Sequence, residues 1–225
     1  MTRKKTRSDG RLSRRRVLKL TGAAVASSVA GCLGGGRDPG EQAPGQPLDA
    51  PVKGDPEAEV TVASYEDFGC GGCAHYHTEI LPQVEEDFIQ GGEICYEYHD
   101  FVLPANGETS WKAASAARAV QDHAGEDAFW TYTDRLFENQ DSLGDAITEA
   151  TEGLDVDANV VEEAAEEQAY DETVTHSKKQ GEDEGVERTP SILVNCEPVE
   201  WESVEYGPVK EKIETMLNEM EFCQS

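Results

Sequence analysis

A β-rich run from Ala58 to Tyr65 passes through Phe68-Gly69 into Cys70-Gly71-Gly72-Cys73, and a helical period begins at once. Tyr76, Ile80, Val84 and Phe88 recur four apart, which sets them on one face of a helix. A strand that becomes a helix at a cysteine pair is an α/β unit with its chemistry at the hinge. The first sulfur meets the unpaired N–H groups and positive dipole end of the helix, which favours thiolate. The second lies one turn further in, suited to resolve a mixed disulfide formed at the first. Two other readings of the pair stand beside this one. A structural disulfide closing so short a loop would stabilise little. A metal site would use Cys70, Cys73 and His77, whose C-x2-C-x3-H spacing suits zinc or copper.

Further along, Pro82 should kink or split the helix, and Gly91-Gly92 should end it. Ile94 to Phe101 alternates as a second strand, closed by Leu103-Pro104. Residues 108 to about 185 hold no convincing strand. Trp111, Ala114 and Ala117 suggest one helix, and Phe129, Trp130, Thr133, Leu136 and Phe137 a second. Val160, Val161, Ala164 and Ala165 suggest a third, capped by Asp157. Ser191 to Asn195 reads as a strand, Val199 to Val204 as its hairpin partner, and Pro208 to Phe222 as the last helix. A right-handed crossover makes the first two strands parallel, and the hairpin adds an antiparallel edge. The result is an α/β domain with a helical insertion.

The first 31 residues hold nine Lys/Arg against one acidic residue, ahead of an apolar run from Val17 to Ala30. That run is too short to cross a bilayer comfortably and has the layout of a secretory signal. Ser13-Arg14-Arg15-Arg16-Val17-Leu18-Lys19 resembles a twin-arginine export signal, and Val29-Ala30-Gly31-Cys32 a lipobox that leaves Cys32 as a lipid-bearing N-terminus. Residues 32–50, rich in Gly, Pro and Gln, read as a flexible tether, and residues 51–225 as the domain. The net charge of −27 becomes −35 once residues 1–31 are removed. So acidic a surface argues against binding nucleic acid and suits high salt.

Asp67-Phe68-Gly69-Cys70-Gly71-Gly72-Cys73-Ala74-His75-Tyr76-His77 resembles the redox motif of DsbA-like proteins of the thioredoxin superfamily. So do Tyr98-His99-Asp100-Phe101-Val102-Leu103-Pro104, Gly185-Val186-Glu187-Arg188-Thr189-Pro190 and the Ser191-Ile192-Leu193-Val194-Asn195 that follows. The resemblance covers roughly residues 51–222. It implies a thioredoxin-like fold with the helical insertion, about residues 106–185, between the second and third core strands. It also implies that Cys70 and Cys73 form a redox-active disulfide and that Thr189-Pro190 is a cis-proline loop that receives substrate. Many relatives bury an acid that relays protons to the second cysteine six residues before the first, where this chain has Ser64; either Glu66 or Asp67 could take its place, though both read first as solvated loop carboxylates. In that topology Cys196 and Cys223 meet at the pole opposite the active site, and a disulfide there would add roughly 3 kcal/mol if unstrained. Cys95 should start an edge strand as a small buried residue, and His99, His123 and His176 should lie on the surface.

The expected function is an extracytoplasmic thiol–disulfide oxidoreductase, lipid-anchored at the outer face of the cytoplasmic membrane and working without a cofactor. Its partners would be exported proteins and a membrane or extracytoplasmic redox partner. The alternatives are a metal-handling lipoprotein using Cys70, Cys73 and His77, or a non-catalytic tethered binding module. Between about 0.1 and 1 M salt the Debye length shortens from about 10 Å to about 3 Å, which weakens self-repulsion. The thermal unfolding midpoint should therefore rise across that range, and a calorimetric midpoint that stays flat or falls would refute the salt-adapted reading.

Overall fold

The sheet is built on β2 (Thr61–Glu66), which pairs in parallel with β3 (Cys95–Asp100) and antiparallel with β4 (Ser191–Val194). Short antiparallel strands, β1 (Val52–Gly54) and β5 (Glu197–Pro198), complete the order β1-β3-β2-β4-β5. This computed structural model describes residues 46–223, with side chains to 219. The expected signal segment 1–31, Cys32 and the expected tether as far as residue 45 lie outside the described residues. Packing against the domain already begins before Pro51. The Leu48 N–H donates to Thr173 Oγ1 at 3.1 Å, and the Asp49 carbonyl accepts from Gln121 at 3.1 Å.

Two strands differ from expectation. β1 occupies the edge, so β3 is internal and Cys95, 4% exposed, starts a flanked strand instead of an edge strand. Three residues are too few to show an alternating pattern. At the other edge, Asn195 and Cys196 take φ of 48° and 66°. That two-residue turn brings the chain back at once, so the partner of β4 is Glu197–Pro198 and not Val199 to Val204.

The helical run after Cys70 comprises α1 (Gly71–His75), a π-turn segment, α2 (Leu81–Val84) and a second π-turn segment ending at Ile89. Pro82, with no N–H to donate, stands at the start of α2, where a break was expected. The insertion between β3 and β4 holds α3 (Gly107–Ala124), α4 (Glu126–Glu138), α5 (Leu143–Glu149), α6 (Ala158–Glu167) and α7 (Asp171–Asp183). Asp157 caps α6 by accepting from the Asn159 N–H. The chain closes with α8 (Tyr206–Cys223). Among the described residues no helix is long and apolar enough to cross a membrane.

α5 and α7 were not foreseen. α7 buries Thr173, Val174, Ser177 and Gly181, too little apolar surface to mark a stripe. Gly181 lets it press onto the sheet, since a Cβ there would lie 2.8 Å from the Tyr65 ring and 2.9 Å from Phe101. This cover explains why His99 is buried instead of exposed. It stacks on Tyr65 at 4.7 Å and bonds Glu97 at 3.1 Å. His123 and His176 are exposed as expected.

The other face of the sheet carries the main core, where α3 and α4 meet Val62, Tyr96 and Tyr98. Arg118 of α3 is 1% exposed there. Its Nε donates to Asp100 Oδ2 at 2.7 Å, and its guanidinium lies over the Tyr98 and Phe129 rings. Removing one member of a buried pair strands the other charge. Arg118→Ala should therefore cost about 3–5 kcal/mol in urea unfolding, and Asp100→Asn/Arg118→Met clearly less. Equal losses from the two variants would contradict this account.

Candidate active site

β2 aims its alternate residues Val62, Ser64 and Glu66 at the main core and ends one residue before a tightly held loop. Asp67 is the clamp. Its Oδ1 accepts from the Gly69 N–H at 2.8 Å, and its Oδ2 accepts from the Leu103 N–H and Asn106 Nδ2, each at 2.7 Å. Gly69 must be glycine, because a Cβ would stand 2.4 Å from Ser110 Oγ. From the insertion, Gln140 Nε2 donates to the carbonyls of Phe68 at 2.7 Å and Cys70 at 3.0 Å. The loop bearing Cys70 is thus held by groups from three parts of the chain.

Cys70 is the N-cap residue of α1, extended at φ −94° and ψ 113° and half-buried. Its Sγ lies 3.4 Å from the carbonyl oxygen of Thr189, and the Thr189-Pro190 peptide bond is cis. Pro190 also closes over Gly72, where a Cβ would meet its Cδ at 3.1 Å. The Cys70 thiol is lowered to about 6. The Cys73 thiol donating to the Cys70 sulfur contributes most, followed by the Thr189 side chain and the N–H groups of Cys73 and Gly72, and together they outweigh burial. Cys73 is fully buried, and burial holds its thiol well above the ordinary range, reinforced by Cys70 and by the charge of Glu66. Both cysteines are free.

The structure corrects the expectation for Glu66 and Asp67, since both are 0% exposed. β2 runs on to Glu66, which pairs in register with Asp100, so the side chain turns into the core. Glu66 Oε1 accepts from Ser64 Oγ at 2.6 Å, while Oε2 faces His77 Nδ1 at 3.4 Å. The other His77 nitrogen, Nε2, bonds Asp134 Oδ1 of α4 at 2.8 Å, and the ring stacks on Phe137 at 4.4 Å. Burial pushes the His77 imidazole down, but Glu66 and Asp134 outweigh it and raise the group to about 9.

These contacts aim His77 at carboxyl groups and not at the cysteines. Among the described residues no group of three or more His, Cys, Asp or Glu is arranged to hold a metal ion. The Cys70, Cys73 and His77 metal reading therefore finds no geometric support. Cys196 is disulfide-bonded. The side chain of its expected partner, Cys223, lies outside the described residues. Sequence reasoning missed Gln140 and Asp134, which come from the insertion with no local motif. His77 had a signal, being four residues from Cys73 on one helical face.

A groove of about 280 Å³ lined by Val186, Arg188, Ser191, Val199 and Trp201 opens beside the Thr189-Pro190 loop. The thioredoxin family model matches residues 48–214. Disulfide bond formation protein D of Bacillus subtilis is 26% identical over 177 residues, covering 74% of this chain and 77% of that protein. The crystal structure of oxidised BdbD from Bacillus subtilis superposes with a TM-score of 0.67 at 26% identity, covering 77% of this chain and 97% of that one. The Chlamydia trachomatis DsbA structure shares the fold, with a TM-score of 0.66 at 18% identity over 78% of this chain and 91% of that one.

Alkylation against pH reads the site directly. The reaction at Cys70 should rise to half its limiting rate near pH 6, while Cys73 stays unmodified in the folded protein. An inflection at the ordinary thiol value of about 8.5 would overturn the assignment.

Proposed function

The chain belongs to the thioredoxin family, and from that premise we propose that it is a protein disulfide oxidoreductase that donates its Cys70–Cys73 disulfide to exported proteins. The observation that carries this reading is the asymmetry of the pair. The half-buried sulfur at the helix start is ionised near neutrality, and the buried sulfur one turn inward is held protonated. The first suits attack and departure, and the second suits resolution.

In the oxidising direction a substrate thiolate attacks Cys70 Sγ, the intramolecular disulfide breaks, and Cys73 leaves and takes up a proton. A second substrate thiolate then attacks the first substrate sulfur and expels Cys70 as thiolate. Two electrons pass from the substrate dithiol to the cysteine pair. Thr189 and the cis Pro190 loop position the incoming chain, with the adjoining groove receiving residues on one side of the reacting cysteine.

Thiolate stability also argues for this direction. Cys70 ionises below its ordinary range, so the stability it lends the dithiol form is complete above that range and is lost as the pH falls through about 6. The disulfide form has no such proton to lose, so the effect favours reduction of the protein and makes it the more oxidising partner.

Residues 1–31 serve in this reading as the export signal and Cys32 as the lipid-bearing residue. The domain then works at the outer face of the cytoplasmic membrane, where a membrane or extracytoplasmic partner reoxidises it. The order of basic cluster, apolar run and lipobox-like motif supports that placement. Cys223 is the proposed partner of Cys196.

Cys73→Ser should accumulate a mixed disulfide with substrate thiols, and Cys70→Ser should abolish exchange. Equilibration with glutathione should give a potential between roughly −230 and −120 mV. A value near roughly −270 mV would make the protein a reductant and reverse the proposed direction.

A further inference from the structure

Cys70 has a second opening beside it. A hollow of about 390 Å³ lies between the redox loop and the helical insertion, lined by Gly69, Asn106, Ser110, Gln140, Asp141 and Asp145 among others. The groove described above adjoins the site through Arg188 and Ser191, which flank Thr189-Pro190. The hollow adjoins it through Gly69 and through Gln140, whose Nε2 bonds the Cys70 carbonyl. A chain joined to Cys70 can therefore lay residues before its cysteine in one opening and residues after it in the other.

The hollow presents acceptors. Asn106 gives its Nδ2 to Asp67, and Gln140 gives its Nε2 to the carbonyls of Phe68 and Cys70. All three partners are oxygen acceptors, so the orientation of both side-chain amides is fixed. Each amide oxygen is left without a bond, and Gln140 Oε1 lies 3.9 Å from where a Cβ on Gly71 would stand. Asp141 and Asp145 are exposed, and among the described residues neither has a cationic partner. No Lys, Arg or His lines the hollow.

In a chain this acidic, two exposed carboxylates signify little by themselves. The floor sets this hollow apart. Ser110 lines it, is 0% exposed, and has a hydroxyl without a partner. That oxygen fills the space beside Gly69, 2.4 Å from where a Cβ would stand. Buried hydroxyls are normally bonded, because leaving one unpaired is destabilising. Spent donors, open oxygens and an unpaired hydroxyl around one opening suit a group that brings its own donors and positive charge. We propose that the hollow is a second substrate subsite, which receives a lysine or arginine side chain of the exported protein near its reacting cysteine. This rests on the reading of Cys70 as the sulfur that substrate thiolates attack.

The substrate cation meets Asp141 and Asp145, with the Asn106 and Gln140 oxygens accepting its N–H groups, and its cysteine is thereby oriented toward Cys70 Sγ. Both carboxylates are exposed, so the attraction is modest and weakens as salt rises. It acts on encounter and orientation, and not on the chemistry at sulfur.

The test uses Cys73→Ser with an uncharged 2-thiopyridyl group on Cys70. A peptide thiolate attacks Cys70 Sγ, the bond to the pyridyl sulfur breaks, and its electron pair leaves on that sulfur, which takes up a proton as 2-thiopyridone and is followed by absorbance. Single-cysteine peptides carry lysine, glutamine or aspartate at successive positions on either side. Each rate is divided by the same peptide's rate with 2,2′-dipyridyl disulfide, which removes differences in thiol reactivity. At about 0.1 M salt, lysine on one side of the cysteine should react about fivefold faster than glutamine, and about 1 M salt should remove most of that gain. Asp141→Asn/Asp145→Asn should lose the gain. Glu162→Gln/Glu163→Gln, an equal charge change at exposed positions of α6 that line neither opening, should keep it.

No gain from lysine, an equal gain on both sides, a gain retained by Asp141→Asn/Asp145→Asn, or one lost equally in the α6 variant would overturn the subsite and leave the exchange function standing. A Cys70 that releases no thiopyridone to any peptide would instead overturn the reading of Cys70 itself.

Discussion

A sulfur anion at residue 70 survives because its charge is met by donors the backbone cannot withdraw. Burial works against it, but the Cys73 thiol, Thr189 and two helix N–H groups win. The same burial, deeper by one turn and without those donors, dominates at Cys73 and holds it neutral. One backbone step therefore creates two unlike thiols from a single residue type. It works only if the turn between strand and helix is rigid. Asp67 binding three donors, Gly69 closing on Ser110 and Gln140 reaching in from the insertion supply that rigidity. Pro190 packed over Gly72 closes the remaining side.

The protein is intensely acidic, yet its few buried acids are each engaged. Asp100 is paired with Arg118, Asp67 is saturated by N–H donors, Glu97 bonds His99, and Glu66 lies between Ser64 and His77. An uncompensated charge in the interior costs several kcal/mol, whereas exposed carboxylates are well solvated. The excess negative charge is thus a surface property, set by the surrounding salt. The buried acids belong to the site and its supports. Glu66 is the one of the four whose charge acts on the Cys73 thiol.

Much of this was legible from local patterns. The strand leading into Cys70, the break at Pro82, the Asp157 cap and the three strongest insertion helices follow from residue periodicity and turn chemistry, and the structure has them. Elements without a pattern were missed: β1 is three residues long, and α7 presents threonine, serine and glycine to the sheet. The error over His99 came from the same source, since an unseen helix covers that face. Glu66 and Asp67 looked like loop carboxylates because neighbours in sequence carry no record of what the sheet folds over them.

The sequence by itself determined the main strands and helices and the paired cysteines at a helix start, because propensity, period and capping act within a few residues, while the proline that faces them was implied by family resemblance. Tertiary structure alone decided which acid acts on Cys73, that Gln140 braces the loop, and that His77 reaches from Glu66 to Asp134. Those contacts join different elements, some more than fifty positions apart, and their strength comes from shared burial, which exists only once the chain has closed around them.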